Sequence, residues 1–308
     1  MNDTAIFEQH RAHLLGIAYR MLGEMASAED IVQETWLRWQ RAEQSEINNP
    51  RAWLSTATIR LSLDALRSAR ARRETYVGPW LPEPLVPDDM RTLAADTPAA
   101  HAELASDLSL ALLHVLERLS PEERAAFILH DAFDCDYAEI AEMLGKNEPA
   151  CRKLVSRARE RVKADRPRYS VSKDQHREML ARFTFAAVSA EPGAFQTLFA
   201  DDVVFYSDGG GRVPAAINPV RGADRVARLL AGLMSKRADR ESTALEVMEI
   251  NSRPSVVFMV ANTIFAVITI EVEDDRITAI YTVRNPEKLA RLERAITPPI
   301  ARGSSASA

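Results

Sequence analysis

The chain has 308 residues, is 46% hydrophobic and 27% charged, and carries a net charge of −5. That composition predicts a soluble globular protein of two or three domains, and the negative balance excludes nucleic-acid binding by the whole surface while leaving local patches open. Two cysteines, Cys135 and Cys151, and six scattered histidines match no zinc-ligand or CxxC spacing, so a reduced, cytoplasmic protein without metal or cofactor is expected.

The start, MNDTAIFEQHRAHLL, lacks the basic-then-apolar pattern of a signal peptide. Phe7, Leu14, Leu15, Ala18, Tyr19 and Leu22 recur at helical spacing, and Gly23 ends the run. Ser27 with Asp30 three residues on reads as an N-cap for AEDIVQETWLRW. Asp30, Gln33 and Glu34 share one face of that helix, with Leu37 a turn beyond; such a face is either solvated surface or a docking surface. Pro50 opens a third helix, expected over 51–73, whose end is basic: residues 51–75 hold six Arg against one Asp and one Glu. Trp53 on this helix reads either as core or as a platform for an unpaired base, with core favoured.

Residues 76–101 change character. GPWLPEPLVPDD holds four prolines and three acids, which marks a linker. Helices are expected over 102–118 and from Pro121. DYAEIAEMLGKNEPACRKLVSRARERV then divides into helix, turn and helix: Asp136 caps the first, Gly145 ends it, Asn147 caps the second and Pro149 fits its first turn. On the second helix Cys151, Leu154, Val155, Ala158 and Val162 fall in one arc, while Arg152, Ser156, Arg159 and Lys163 fall opposite with Lys153 beside them. An apolar face that packs and a basic face that meets a polyanion make a DNA-binding helix-turn-helix. Arg152, Lys153 and Ser156 are candidates for base edges; Arg157, Arg159, Arg161 and Lys163 for phosphates.

After Pro167 the fold class changes. Helices are expected over 175–190 and 223–237, and strands over 245–250, 256–260, 264–272 and 277–283, with turns at Asn251–Pro254 and Asp274–Asp275. The apolar stretch 256–270 is interrupted by Asn262 and Thr263 and is too short for a membrane helix. The result is an α+β domain at 174–290, then a tail over 291–308 whose end is expected to be disordered. Between these elements stands YSDGGGR, residues 206–212, three of the chain's 11 glycines together. It lacks the Lys-Ser/Thr pair of a phosphate loop, so a tight connection after a strand at 203–207 is expected. Asp208, with Asp201 and Asp202 nearby, is a candidate pocket carboxylate, but no partner such as a histidine is visible beside it.

The segments AEDIVQETWLRW, PRAWLSTATIRLSLDALRSARARRE and the helix-turn-helix ending in SRARERV resemble, in order and spacing, the extracytoplasmic-function (ECF) sigma factors of the sigma-70 family, over residues 5–165. WLPEP at 80–84, DGGG at 208–211 and NPEKL at 285–289 look like the sigma J type, which carries a fused SnoaL-like domain of the NTF2-like superfamily. The resemblance implies two all-α sigma domains followed by an α+β cone. In the first domain, 1–75, Asp30, Gln33, Glu34 and Leu37 would bind core RNA polymerase. Asn49, Arg51, Trp53, Arg60, Arg67, Arg70, Arg72 and Arg73 would read the promoter −10 element. The second domain, 102–166, would read the −35 element through Arg152, Lys153, Ser156, Arg157, Arg159 and Lys163. The implied partners are the β′ clamp and β flap of the polymerase, promoter DNA, and the chain's own SnoaL-like domain. That domain is expected to be non-catalytic and to regulate in cis through Trp80, Leu81, Pro82, Glu83, Asp208, Gly209, Gly210, Gly211, Asn285 and Pro286, with the acidic run Glu83, Asp88 and Asp89 lying near the DNA-reading surfaces. A ligand-responsive helix-turn-helix regulator and a SnoaL-like enzyme tethered to DNA are the alternatives.

Overall fold

A computed structural model of the chain describes residues 3–73, 76–93, 108–165, 171–238 and 243–296. Three helices come first: α1 (Asp3–Leu22), α2 (Met25–Arg41) and α3 (Pro50–Arg73). Gly23 adopts φ +72°, which breaks the chain between α1 and α2 as its position suggested. The N-cap of α2 is Glu24 rather than Ser27, and Ser27 lies inside the helix with its hydroxyl on the Glu24 carboxylate. Asn49 caps α3 by accepting from the Ala52 amide at 3.1 Å.

The expected linker is not a free tether. It contains a short helix, α4 (Pro87–Leu93), and Leu81, Leu85 and Val86 are buried. The helix expected over 102–118 is described from Leu108 onward as α5 (Leu110–Leu116), capped by Ser109; its earlier part lies outside the described residues. There follow α6 (Pro121–Phe127), extended by a wider turn over Ile128–Ala132, then α7 (Tyr137–Leu144) and α8 (Glu148–Asp165). The local signals act as expected. Asp136 and Glu139 form a capping box, Gly145 takes φ +64°, and Asn147 accepts from the Ala150 amide at 2.9 Å. Cys151, Val155, Ala158 and Val162 are buried, and Leu154 is half-buried.

These helices share one continuous apolar core. Leu14, Tyr19, Trp39 and Leu54 of the first three helices belong to the same cluster as Leu113, Phe127, Ile140 and Val155 of the later ones. The two helical domains are thus packed on each other. Arg124, 2% exposed, contributes by donating to the carbonyl of Arg20 at 2.9 Å and to the Glu117 carboxylate.

The last domain comprises α9 (Lys173–Ser189), α10 (Pro192–Gln196), β1 (Phe199–Asp208), β2 (Val220–Arg221), α11 (Ala223–Ala238), β3 (Thr243–Ile250), β4 (Arg253–Val260), β5 (Thr263–Glu273), β6 (Arg276–Val283) and α12 (Pro286–Ile296). It is an α+β domain built on one six-stranded sheet. The six strands run β2-β1-β6-β5-β4-β3, antiparallel except for the β1–β6 pair. Period-two alternation gives the sheet two apolar faces. Val256, Ile270 and Ile280 face α9–α11, whereas Val257, Val267, Tyr281 and Val283 face the other way. That second face is covered by Leu81 and Val86 of the linker, Ala111 of α5, and Leu289 and Leu292 of α12. Each of the leucines and Val86 removed from water contributes about 1.5–3 kcal/mol. Helix α12 runs through the expected boundary at 291, and residues 297–308 lie outside the described ones.

Candidate nucleic-acid interface and interdomain clasp

On α8 the basic face is open: Arg152, Lys153, Ser156, Arg157, Arg159 and Lys163 are all exposed. Arg159 forks onto Asp131 with bonds of 3.0 and 3.1 Å from Nε, Arg161 pairs with Glu123 at 2.7 Å, and Arg152 pairs with Glu148 at 3.1 Å. The exposed pairs of Arg159 and Arg152 are worth at most about 1 kcal/mol each, so a phosphate competes for these two cations readily, whereas the Glu123 carboxylate is buried.

On α3 the arrangement differs. Asn49 and Arg51 are exposed, but Trp53 is half-buried, 5.5 Å from the Trp39 ring. Core packing and exposure coexist there, because Trp53 also lines an open cleft of about 640 Å³ with Asn49, Thr56 and Arg60. The far wall of that cleft is α7, through Glu139, Glu142 and Met143. Arg60 reaches across to donate to the carbonyls of Met143, at 3.3 Å, and Glu142, at 3.5 Å. These are end carbonyls of α7, where the helix dipole favours a cation. Arg67 reaches Glu122 at 3.4 Å, and Lys146 reaches the same carboxylate at 3.0 Å. The side chains of Arg70, Arg72 and Arg73 lie outside the described residues. On α2, Asp30 and Gln33 point to solvent, Glu34 pairs with Arg38, and Leu37 is one of the few large apolar side chains left exposed.

The third constellation joins the linker to the last domain. Asp208, 0% exposed, ends β1. Its carboxylate accepts from Tyr76 Oη at 2.6 Å, the Leu81 amide at 2.9 Å, the Gly210 amide at 3.0 Å and Lys288 Nζ at 2.8 Å. Lys288, 4% exposed, also donates to the Leu81 carbonyl and sits 3.9 Å from the Trp80 ring centroid. Asn285 donates to Tyr76 Oη at 3.1 Å. Burial and the neighbouring carboxylate push the Tyr76 phenol pKa well above its usual range, so it stays a donor. The glycines have distinct roles. Gly210 and Gly211 take φ of +61° and +70°, and a Cβ on Gly210 would stand 2.4 Å from Asn285 Nδ2. A Cβ on Gly209 would stand 2.4 Å from the Val213 carbonyl, so close backbone approach demands glycine there. The glycines make the expected tight turn, the Arg212 amide donating to the Gly209 carbonyl at 3.0 Å, but it lies within a loop of eleven residues: β1 pairs with β2 after that loop and with β6 in parallel.

Trp80 packs over Gly23, where a Cβ would meet it at 2.4 Å. Glu83 receives the Met25 amide at 2.7 Å, helping satisfy the start of α2, and its own amide donates to the Gly23 carbonyl at 2.8 Å. The acidic run is therefore not directed at the DNA-reading cations. Asp89 pairs with Arg291 of α12 at 2.8 Å, Arg291 continues to Glu29 at 3.0 Å, and Asp88 pairs with Arg91 beside it. At the β3–β4 turn, Asn251 is buried with φ +49°. It accepts from the Leu85 amide at 3.0 Å and donates to the Leu108 carbonyl at 2.8 Å and to Tyr19 Oη at 3.3 Å.

Burial raises the Glu83 pKa to about 6, against the lowering effect of the Met25 amide and Arg291. A carboxyl whose folded pKa exceeds its unfolded value adds stability below the unfolded value, and that stability is lost as pH rises through 6. On lowering the pH from 7.5 to 5, the full chain is expected to gain about 1 kcal/mol more than Glu83→Gln, measured as unfolding free energies. Parallel profiles for the two proteins would contradict this assignment.

The sigma-70 region 2 family matches residues 6–72 and the sigma-70 region 4 family matches residues 109–162. The chain is 40% identical over 297 residues to the ECF RNA polymerase sigma factor SigJ of Mycobacterium tuberculosis, covering 93% of each. It belongs to the extracytoplasmic-function sigma factors of the sigma-70 family. As such it is a sigma factor of transcription initiation, in a family whose members are not enzymes. It is also 32% identical over 288 residues to a probable ECF sigma factor, SigI, of the same species, covering 93% of this chain and 94% of that one. The crystal structure of M. tuberculosis SigJ superposes with a TM-score of 0.72 at 36% identity, covering 93% of this chain and 98% of that one. Within this sigma factor, sequence reasoning missed Tyr76, Lys288, Asn251 and Arg291. Lys288 lies inside NPEKL and was within reach; Asn251 read as an ordinary turn residue. No helix among the described residues is long and apolar enough to cross a membrane.

Proposed function

We propose that this sigma factor is held closed in cis by its last domain and opens on core RNA polymerase to read promoters in the cytoplasm. The observation that carries the proposal is Arg60, a candidate −10 reader, engaged on the carbonyls of Met143 and Glu142 in the helix-turn-helix. The −10 and −35 elements lie 25 positions apart, on the order of 80 Å at about 3.4 Å per base pair. Two readers in side-chain contact do not span that distance. Polymerase, by binding Asp30, Gln33, Glu34 and Leu37 through its β′ clamp and the second helical domain through its β flap, would hold the readers apart and make two weak contacts bivalent. Asn49, Arg51, Trp53, Arg60 and Arg67, with Arg70, Arg72 and Arg73, would then meet the −10 element. Arg152, Lys153, Ser156, Arg157, Arg159 and Lys163 would meet the −35 element.

The clasp of Asp208, Lys288 and Tyr76 supports the cis role. It fastens the linker to the last domain, and the linker in turn carries Glu83 and Leu85 against α1 and α2. The same geometry supports a non-catalytic domain. Alternation along β1 directs Ser207 toward the domain's cavity and Asp208 toward the linker, where its oxygens are already occupied.

Run-off transcription and promoter binding with core polymerase compare the full chain with one ending at Arg168. The shorter chain is expected to bind promoter DNA at least tenfold more tightly in the absence of polymerase. Equal promoter affinity and equal transcription would remove the cis reading, and failure of both chains to bind polymerase would remove the polymerase contacts assigned above.

A further inference from the structure

The last domain holds a half-open cavity of about 310 Å³ that the clasp does not use. Its walls are apolar, with Leu230, Leu233 and Met234 of α11 facing Phe258 and Ile268 of the sheet. Three polar side chains interrupt them. Ser207 and Thr282 are register neighbours on β1 and β6, both at least 94% buried. Among the described residues the Thr282 hydroxyl has no hydrogen-bond partner, and a buried unsatisfied hydroxyl costs about 1–3 kcal/mol unless something else bonds it. The third is Arg284, the one charged side chain among the lining residues. Its guanidinium lies 4.1 Å from the Phe265 ring centroid and donates to the Pro214 carbonyl.

We infer that this cavity is a binding site for a small apolar monocarboxylate. The volume is at the lower end of ligand pockets, which suits a body of roughly ten carbons. The apolar walls take that body. The Thr282 hydroxyl and the Arg284 guanidinium take the carboxylate, an anion that forms charge-assisted bonds with arginine. The site also adjoins the clasp. Ser207 precedes Asp208, and Arg284 precedes Asn285. The wall residues Pro214–Ala216 continue the Gly209–Gly211 loop, and a Cβ at Gly78 of the linker would stand 3.6 Å from the Ala216 carbonyl. A carboxylate that draws Arg284 off Pro214 therefore loosens the loop against which the linker rests. This coupling, unlike the binding, rests on the cis reading above.

Titration calorimetry on the full chain with decanoate and with decan-1-ol tests the site. One equivalent of decanoate is expected to bind, at least tenfold more tightly than the alcohol. Arg284→Met is expected to remove that tenfold preference, Thr282→Val to weaken decanoate several-fold, and Ala266→Phe, which fills the cavity, to abolish binding while thermal melting verifies the fold. Should Ala266→Phe not fold, Ala216→Trp blocks the cavity from the loop side. No saturable binding of decanoate, or binding that survives the folded filling variant, overturns the site. Equal affinity for acid and alcohol overturns the carboxylate class. Decanoate is also expected to increase promoter binding by the full chain. Binding with no such change leaves the site standing and overturns the coupling, whereas failure of the cis reading shows separately in the Arg168 truncation.

Discussion

Asp208→Ala is expected to destabilise the closed chain by about 3–5 kcal/mol, because it strips the counter-charge from an ammonium that stays buried. Lys288 is 4% exposed, bonded on one side to the Leu81 carbonyl and stacked on Trp80, and has no route to water without undoing the clasp. The reverse change, Lys288→Met, is expected to be milder. Asp208 would keep three donors, the Tyr76 hydroxyl and the amides of Leu81 and Gly210, and hydrogen bonds of this kind stabilise a carboxylate in place of a cation. The two losses are not additive: with both charges gone, the double variant is expected to be more stable than Asp208→Ala alone. Denaturant unfolding of the four proteins measures the coupling, and protease cleavage between residues 76 and 86 reports release of the linker. Under the cis reading, Asp208→Ala also raises promoter affinity in the absence of polymerase. A loss below about 1 kcal/mol for both single variants would mean that the pair contributes nothing to closure.

Asn251→Ala is expected to cost about 3 kcal/mol through two mechanisms acting together. The side chain bridges the last domain, the linker and both helical domains through Leu85, Leu108 and Tyr19, and its removal leaves the Leu85 amide and Leu108 carbonyl without these bonds in a buried seam. The backbone is left-handed at φ +49°, a conformation that asparagine adopts at less cost than alanine. Asn251→Gly separates the contributions: it relieves the backbone term and is expected to recover about 1 kcal/mol while losing the same bonds. Equal unfolding free energies for wild type and Asn251→Gly would mean that the side-chain bridge is energetically silent. The backbone amide of Asn251 continues to reach the Leu85 carbonyl at 2.9 Å in every variant, so complete undocking is not the expected outcome.

The two sites differ in how much of them the sequence discloses. The basic face of α8 is legible because a helix sorts its residues by position: Cys151, Val155, Ala158 and Val162 fall inward, and the cations follow outward. The capping box at Asp136 and the glycine at 145 are equally local. Asp208 is half legible. Alternation along β1 sets it opposite Ser207, but only the structure shows that the cavity lies on the Ser207 side and that the candidate pocket carboxylate faces the linker instead. Ser27 shows the limit of local signals: a good cap sequence lost to Glu24, three residues earlier, because Gly23 breaks the chain just before it.

The first three helices, the helix-turn-helix, the strand meander and the resemblance to the family were legible in the sequence alone, whereas the helices over Pro87–Leu93 and Pro286–Ile296 were not. The legible features depend on interactions within a few residues, or on patterns that repeat with a known period. Only the tertiary structure decided that Asp208 meets Tyr76, 132 residues away, and Lys288, 80 residues away, and that Arg60, though exposed, reaches the end carbonyls of α7. It also decided that Leu81, an anchor the sequence suggested, and Val86 join a core on the sheet's outer face. Such pairings are set by which apolar surfaces cover one another, here the outer face of the sheet against Leu81, Val86 and α12. No stretch of chain carries that information by itself, because burial belongs to two surfaces at once.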